Sequence, residues 1–344
     1  MDKIKAIYNK IGFPRFIITL LLFLFIGIAF FLDLSLASMF TDILKRFGMN
    51  AILVLAMVPT VQSGSGINMN LALGVILGLI GCLVSMELGL AGWTGFGVAL
   101  AIAIPLAALA GYLYGLMLNR VKGQEMTVGN YFGYSVVSLM CIFWLLAPFK
   151  NPQLVWAMGG TGLRTTLTMD DSFGKVLDNF LSFEIMGVTI PTGLLLFFAL
   201  CALIVYVFSN TKTGLAMRVS GSGEKFAISS GLNVDRYRIL GIVISTVLAA
   251  TAIIVYSQSF GFLQLYMAPL YVSMPAAASI LIGGANLRKA SIAHVIIGTL
   301  LFQGLLTVSL PVINIISEGS MAEIIRIVIS NGIILYALTR KEAV

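Results

Sequence analysis

Polar chemistry is scarce in this chain. A single histidine, three cysteines and 14 acidic residues stand among 344, and charged side chains make up only 10% of the total. Cys82, Cys141 and Cys201 each lie inside an apolar run, without a Cys-x-x-Cys partner or a neighbouring histidine, and read as small packing residues. One histidine and three scattered thiols cannot assemble the clustered groups of a membrane-embedded enzyme, so no catalytic or metal-ligating residue is assigned. The apolar runs also lack the paired carboxylates or bases that proton-driven carriers hold inside their bundles, which argues against proton coupling. No hydrophilic stretch is long enough for a nucleotide-hydrolysing or ligand-capturing domain, and the chain is expected to bind no cofactor itself.

What is present is apolar. Hydrophobic residues reach 59% and the mean hydropathy is +1.02, far from the composition of soluble domains. A membrane-crossing helix needs roughly 20 mostly apolar residues. Runs at 15–36, 49–63, 71–88, 93–118, 126–148, 191–209, 239–261, 271–283, 292–310 and 323–338 meet or approach that need. The fold expected is therefore all-α and polytopic, a single transmembrane domain over 1–344 built as a bundle of about ten helices. The first run is too long for a signal-peptide core and is taken as a retained helix.

The net charge of +7 is spread through short loops and does not form the basic face of a nucleic-acid binder. Lysine and arginine in short loops favour the cytoplasmic side. With the N-terminus inside, that side receives Lys3, Lys5, Lys10, Arg15, Arg120, Lys122, Lys212, Arg218, Lys225, Arg236, Arg238, Arg288, Lys289, Arg340 and Lys341. Both termini are then cytoplasmic. Lys45, Arg46, Lys150, Arg164, Lys175 and Arg326 do not fit. The connection 149–190, with Trp156, Gly159, Gly160, Asp170 and Asp171, becomes the largest extracytoplasmic loop, either a contact for a ligand-delivering partner or an ordinary loop with an interfacial helix. Glycines spaced by four at 74 and 78, 111 and 115, and 129 and 133 allow close helix packing.

One region is clearly broken. Between the second and third runs lies Gln62-Ser63-Gly64-Ser65-Gly66-Ile67-Asn68-Met69-Asn70, whose backbone is tolerable near membrane depth only if protein buries it or it lines a wet cavity. Gln62, Ser63, Asn68 and Asn70, together with the intramembrane Asn130 and Gln303, are the candidate solute-path residues, since amides both donate and accept hydrogen bonds. A structural turn held by its own amides is the alternative. Glu87 reads as a solvated group at a helix end, and His294 as interfacial beside Arg288 and Lys289.

Segment 210–238 is the longest cytoplasmic stretch, with apolar and polar residues alternating around Gly221-Ser222-Gly223. Two short amphipathic helices meeting at a turn are expected, an elbow fit for docking on a cytoplasmic partner. It lacks the GxxxxGK[ST] pattern of a nucleotide cradle.

This segment resembles the cytoplasmic coupling loop of the ABC permease family that serves ribose-type sugars, purine nucleosides and autoinducer-2, with branched-chain amino acid permeases as cousins. The family pattern there runs T-x-x-G-x-x-x-x-A-x-G-x-N-x-x-A-A-x-x-x-G-I-N. Thr211, Gly214, Gly221, Ala227, Gly231 and Asn233 stand at matching places, while Gly223, Phe226 and Leu232 depart from it. Two weaker likenesses are Ser65-Gly66-Ile67-Asn68-Met69-Asn70-Leu71-Ala72 against a G-G-I-D-L-S-V-G stretch, and Leu281-Ile282-Gly283-Gly284 against an L-G-G cluster, whose second glycine cluster is replaced here by Arg288-Lys289-Ala290-Ser291.

The resemblance implies a bacterial plasma-membrane importer subunit for a small polar solute of sugar or nucleoside kind. It implies a second permease copy or sister subunit, an extracytoplasmic solute-binding protein, and two cytoplasmic ATPase subunits that carry the ATP and magnesium. Gly214, Arg218, Gly221, Glu224, Ala227, Gly231 and Asn233 become the ATPase-coupling residues. A branched-chain amino acid permease and a stand-alone secondary transporter or channel are the alternatives. The latter would show internal repeats with paired broken helices.

Overall fold

The structure, a computed structural model, describes residues 13–156 and 162–316, together with isolated helical positions between 324 and 335. The run at 323–338, the N-terminal lysines, Gly159, Gly160, Arg326, Arg340 and Lys341 lie outside or almost wholly outside those residues.

Every expected apolar run within the described residues is helical. In chain order the helices are α1 (Phe13–Phe31), α2 (Leu36–Leu55), α3 (Met57–Gln62), α4 (Leu71–Glu87), α5 (Gly92–Leu118), α6 (Glu125–Leu146), the one-turn α7 (Val176–Asn179), α8 (Thr192–Ser209), α9 (Lys212–Ser222), α10 (Glu224–Ser229), α11 (Val234–Phe260), α12 (Ser273–Ile282) and α13 (Ile292–Ile316). Six helical stretches among the described residues are long and apolar enough to cross a membrane. The stretches Arg15–Phe31, Leu71–Glu87 and Ala268–Ile282 are apolar but shorter.

The bundle closes around α11, which runs beside α4 and α5 and also meets α2 and α3. Small residues permit this. A Cβ at Gly78 would come within 2.4 Å of the Ala250 carbonyl oxygen, and one at Gly74 within 2.5 Å of the Thr246 carbonyl oxygen. Gly111 and Gly115 bring α5 close to Val243, Thr246 and Ile239 on the same helix, at 3.0–3.3 Å from a Cβ. Without a hydrophobic driving force between helices in lipid, such backbone proximity supplies the dispersion contacts that hold the bundle. On the far side, α13 packs against α1, α2 and α12.

Three features differ from the sequence reading. The second helix does not begin at 49: α2 starts at Leu36, capped by Ser35, and carries Lys45 and Arg46 in its interior. With α3 it forms a stretch of 27 residues, jointed at Ala56 because Pro59 has no N–H for the Leu55 carbonyl. A second broken span exists as well. After α11 the chain runs through strand β4 (Phe262–Gln264) and a 3-10 turn (Ala268–Tyr271) before the ten-residue α12, about 15 Å of helix at 1.5 Å per residue.

The connection 149–190 is the third difference, because its described residues fold into a cap. Strand β1 (Thr166–Thr168) pairs antiparallel with β4, and β2 (Phe183–Ile185) forms a hairpin with β3 (Val188–Ile190). Leu154, Leu163, Leu167, Met169, Phe173 and Leu177 are buried and continuous with the bundle core, which an ordinary loop could not achieve. Glu87, at the end of α4, accepts from the backbone N–H groups of Lys150 and Asn151 at 3.0 and 3.1 Å. The buried Gln258 accepts from Leu177 N–H at 3.1 Å and donates to Asp178 Oδ2 at 3.0 Å.

Candidate functional site

At the end of the bundle opposite the cap, 210–233 folds into two helices outside the core. Thr211 caps α9, its hydroxyl oxygen accepting from Gly214 N–H at 3.2 Å. Gly214 lets the helix turn back on itself, since a Cβ there would meet the Phe208 carbonyl oxygen at 2.2 Å. Arg218 Nη2 donates to the Ser209 carbonyl at 2.8 Å and braces the same corner. The chain bends at Gly223, α10 follows with Ala227 buried, and Gly231 at φ +77 reverses it. That left-handed conformation costs a side chain with a Cβ roughly 1–2 kcal/mol. Asn233 then caps α11, accepting from Arg236 N–H at 3.1 Å. Glu224 opens α10 and pairs with Lys122, which also holds Asp235 at 2.7 Å. The Asp235 hydrogen bond is the main reason the Lys122 ammonium titrates above its ordinary range.

The elbow rests on the broken segment. A Cβ at Gly221 would lie 2.2 Å from the Gln62 carbonyl oxygen and 2.6 Å from the Gly64 nitrogen, so α9 touches the end of α3 through backbone alone. Gln62 ties three elements together there: its Oε1 accepts from Ser209 Oγ at 3.3 Å, and its Nε2 donates to the Ala290 carbonyl at 3.0 Å. Ser63 is fully buried, its hydroxyl donating to the Thr60 carbonyl at 3.0 Å. Asn68 Nδ2 donates to Ser245 Oγ at 2.9 Å and its Oδ1 accepts from Asn70 N–H at 3.0 Å. Asn70 is buried against Tyr114, Gly129 and Gly133. The adjoining hollow, about 10 Å³, is no larger than one water. The N–H groups of Ser63, Gly64 and Ser65 find the carbonyls of Pro59, Val61 and Thr60.

A larger hollow lies elsewhere. A cavity of about 280 Å³ opens among α2, α11, α12 and α13 beneath β4 and the 3-10 turn. Arg46, Asn50, Gln264, Gln303, Tyr256 and Ser279 supply its polar wall, and Leu53, Phe262 and Phe302 are among its apolar residues.

Over residues 39–338 the sequence matches the family model described as branched-chain amino acid transport system / permease component. The chain belongs to that permease family. Relatives include the autoinducer 2 import system permease protein LsrC of Yersinia pseudotuberculosis, 27% identical over 246 residues. That match covers 70% of this chain but 60% of the relative, so the permease described here spans three fifths of the relative's length. LsrD of the same species is 26% identical over 70% of this chain and 69% of its own, and LsrC of Shigella flexneri 26% over 88% and 80%. A solved metal-chelate type ABC transporter, inward-facing, overlays 96% of this chain and 100% of its own at 17% identity with a TM-score of 0.45, a likeness too loose to place any element.

Of the six path candidates in this permease, only Gln303 lines the cavity. Gln62, Ser63, Asn68 and Asn70 gather at the elbow end, and Asn130 sits half-buried on α6, away from both hollows. The seven coupling candidates, in contrast, come together in one unit with a geometric role for each. Sequence reasoning missed Arg46, Asn50, Gln264 and Tyr256. Arg46 carried a signal nonetheless, as a basic residue that no loop-charge pattern accommodated.

Proposed function

We propose that this permease is the membrane-spanning subunit of a binding-protein-dependent ABC importer for a small polar solute of sugar or nucleoside kind. The observation that carries the reading is the elbow α9–α10. Its Leu215, Phe226 and Ile228 are 49%, 68% and 59% exposed at the end of the bundle richest in lysine and arginine, an apolar set that a docking partner would cover. Its inner face meets the bundle backbone at Gln62 and Gly64. Force applied to the elbow by cytoplasmic ATPase subunits would pass directly to α3 and, through Gln62, to the α12–α13 turn. In this reading the bundle has about ten helices with both termini cytoplasmic, pairs with a second permease subunit, and receives solute at the cap from an extracytoplasmic binding protein.

A sugar-type solute is favoured over a branched-chain amino acid by the cavity wall. It contains a cation and amides but no aspartate or glutamate to hold an α-ammonium group. The autoinducer 2 permeases among the relatives point the same way. Gentle purification from the native membrane with mass spectrometry of co-purifying proteins tests the proposal. An ATPase pair and a solute-binding protein are expected. The chain recovered alone as a self-sufficient oligomer contradicts it and returns a secondary transporter or channel.

A further inference from the structure

The Arg46 guanidinium, an electrostatic neighbour of Tyr256, donates no hydrogen bond among the described residues. Arg46 lies ten residues into the stretch Leu36–Gln62, about 15 Å along the helix from its start. Its side chain is exposed to the cavity and enters none of the ion pairs among the described residues, which all cluster at the elbow end. A guanidinium open to a cavity and free of any carboxylate partner among the described residues is available to an anionic solute. Its planar fork matches a carboxylate or phosphate bidentately, and an ionised acceptor roughly doubles the strength of each hydrogen bond.

The rest of the wall fits a polyol attached to that anion. Asn50 sits one turn along α2 from Arg46, while Gln264 on β4 and Gln303 on α13 face the same space. The Gln264 and Gln303 amides can both donate to and accept from hydroxyls, while Asn50, whose Nδ2 donates to the Arg46 carbonyl at 2.9 Å, offers its oxygen as acceptor. Tyr256 adds an aromatic surface with a hydroxyl edge. The volume of about 280 Å³ lies just below the usual range of ligand pockets, which starts at about 300 Å³, and limits the occupant to a small solute.

We infer that this cavity is a solute site selecting an anionic polyol, a sugar phosphate or a sugar acid, with Arg46 as its anion-binding group. The inference rests on the importer reading and narrows its substrate class from small polar solutes of sugar or nucleoside kind to anionic polyols. It also gives the second broken span a purpose, since β4 and the 3-10 turn form the roof of the site.

The test uses the purified full chain in detergent, with binding of D-ribose, D-ribose 5-phosphate and D-ribonate measured by titration calorimetry at millimolar concentrations. At least one anion is expected to bind at least about tenfold more tightly than ribose, as a charge-assisted fork requires, and comparison of the two anions separates phosphate from carboxylate. Arg46→Gln should abolish that preference and Arg46→Lys should restore part of it, while Gln303→Leu should weaken all three sugars alike. Ribose binding as tightly as both anions, an unchanged preference in Arg46→Gln, or no binding of any of the three overturns the inference. Co-purification of ATPase subunits does not depend on Arg46, so failure here leaves the importer reading standing, and failure of co-purification leaves an observed anion preference standing.

Discussion

At the scale of single residues, the positions shared with the sugar-type coupling loop are those that the elbow's geometry demands. Thr211 and Asn233 begin helices, Gly214 and Gly221 allow backbone approach, Ala227 is buried and Gly231 takes a left-handed conformation. Gly221→Leu should insert and fold yet lose solute uptake, because the side chain pushes α9 away from Gln62; proteoliposome uptake alongside ATP hydrolysis checks this, and normal uptake would refute the contact's role. Gly231→Val should lower thermal stability by an amount on the order of 1–2 kcal/mol. Asn68→Leu leaves Ser245 and the Asn70 N–H without a partner at a buried site, a loss of about 1–3 kcal/mol. Ser245→Ala added to it should cost little more, a non-additivity that thermal melts of the single and double variants would measure.

At the scale of elements, continuous apolar runs were easy to read because lipid or core meets every side chain in them. Mixed elements were not. The first half of α2 places Thr41, Asp42, Lys45 and Arg46 within six residues and mimics a loop, although Thr41 serves as acceptor for Thr189 N–H of the cap and Arg46 faces the cavity. The second break hid because residues 262–272 are nearly as apolar as a span, and only tertiary pairing of β4 with β1 reveals that they are extended. The amides of the first break read as solute-path candidates, and the partners of Gln62 and Asn68 sit on α8, α11 and the α12–α13 turn, separations that no local pattern encodes. One joint between elements was not anticipated at all: Arg238 at the start of α11 donates to Glu125 at the start of α6, both largely buried. Arg238→Met should cost about 3–5 kcal/mol by stranding the Glu125 charge, whereas the paired change Glu125→Leu with Arg238→Met should cost less. Thermal unfolding of the three proteins decides between them, and equal losses in both would deny that the pair is coupled.

At the scale of the whole molecule, two ends of one bundle carry different work. The cap at 149–190 is fastened to α4 by Glu87 and to α11 by Gln258, while the elbow at the other end presses on α3. Between them α11 spans 27 residues and touches the cavity and the elbow base alike, Tyr256 and Ser257 lining the one and Gly241 lying against Ser63 in the other. In the importer reading, α11 is the element through which docking on one side would reach the solute on the other. The most direct measurement is capture of the ATPase subunits by the purified permease and by its Phe226→Asp, Ile228→Asp variant. The account predicts equal melting temperatures for the two proteins and at least about tenfold less ATPase on the variant, since charges placed in an apolar contact are desolvated without a partner; equal capture by both would contradict the elbow as the coupling surface.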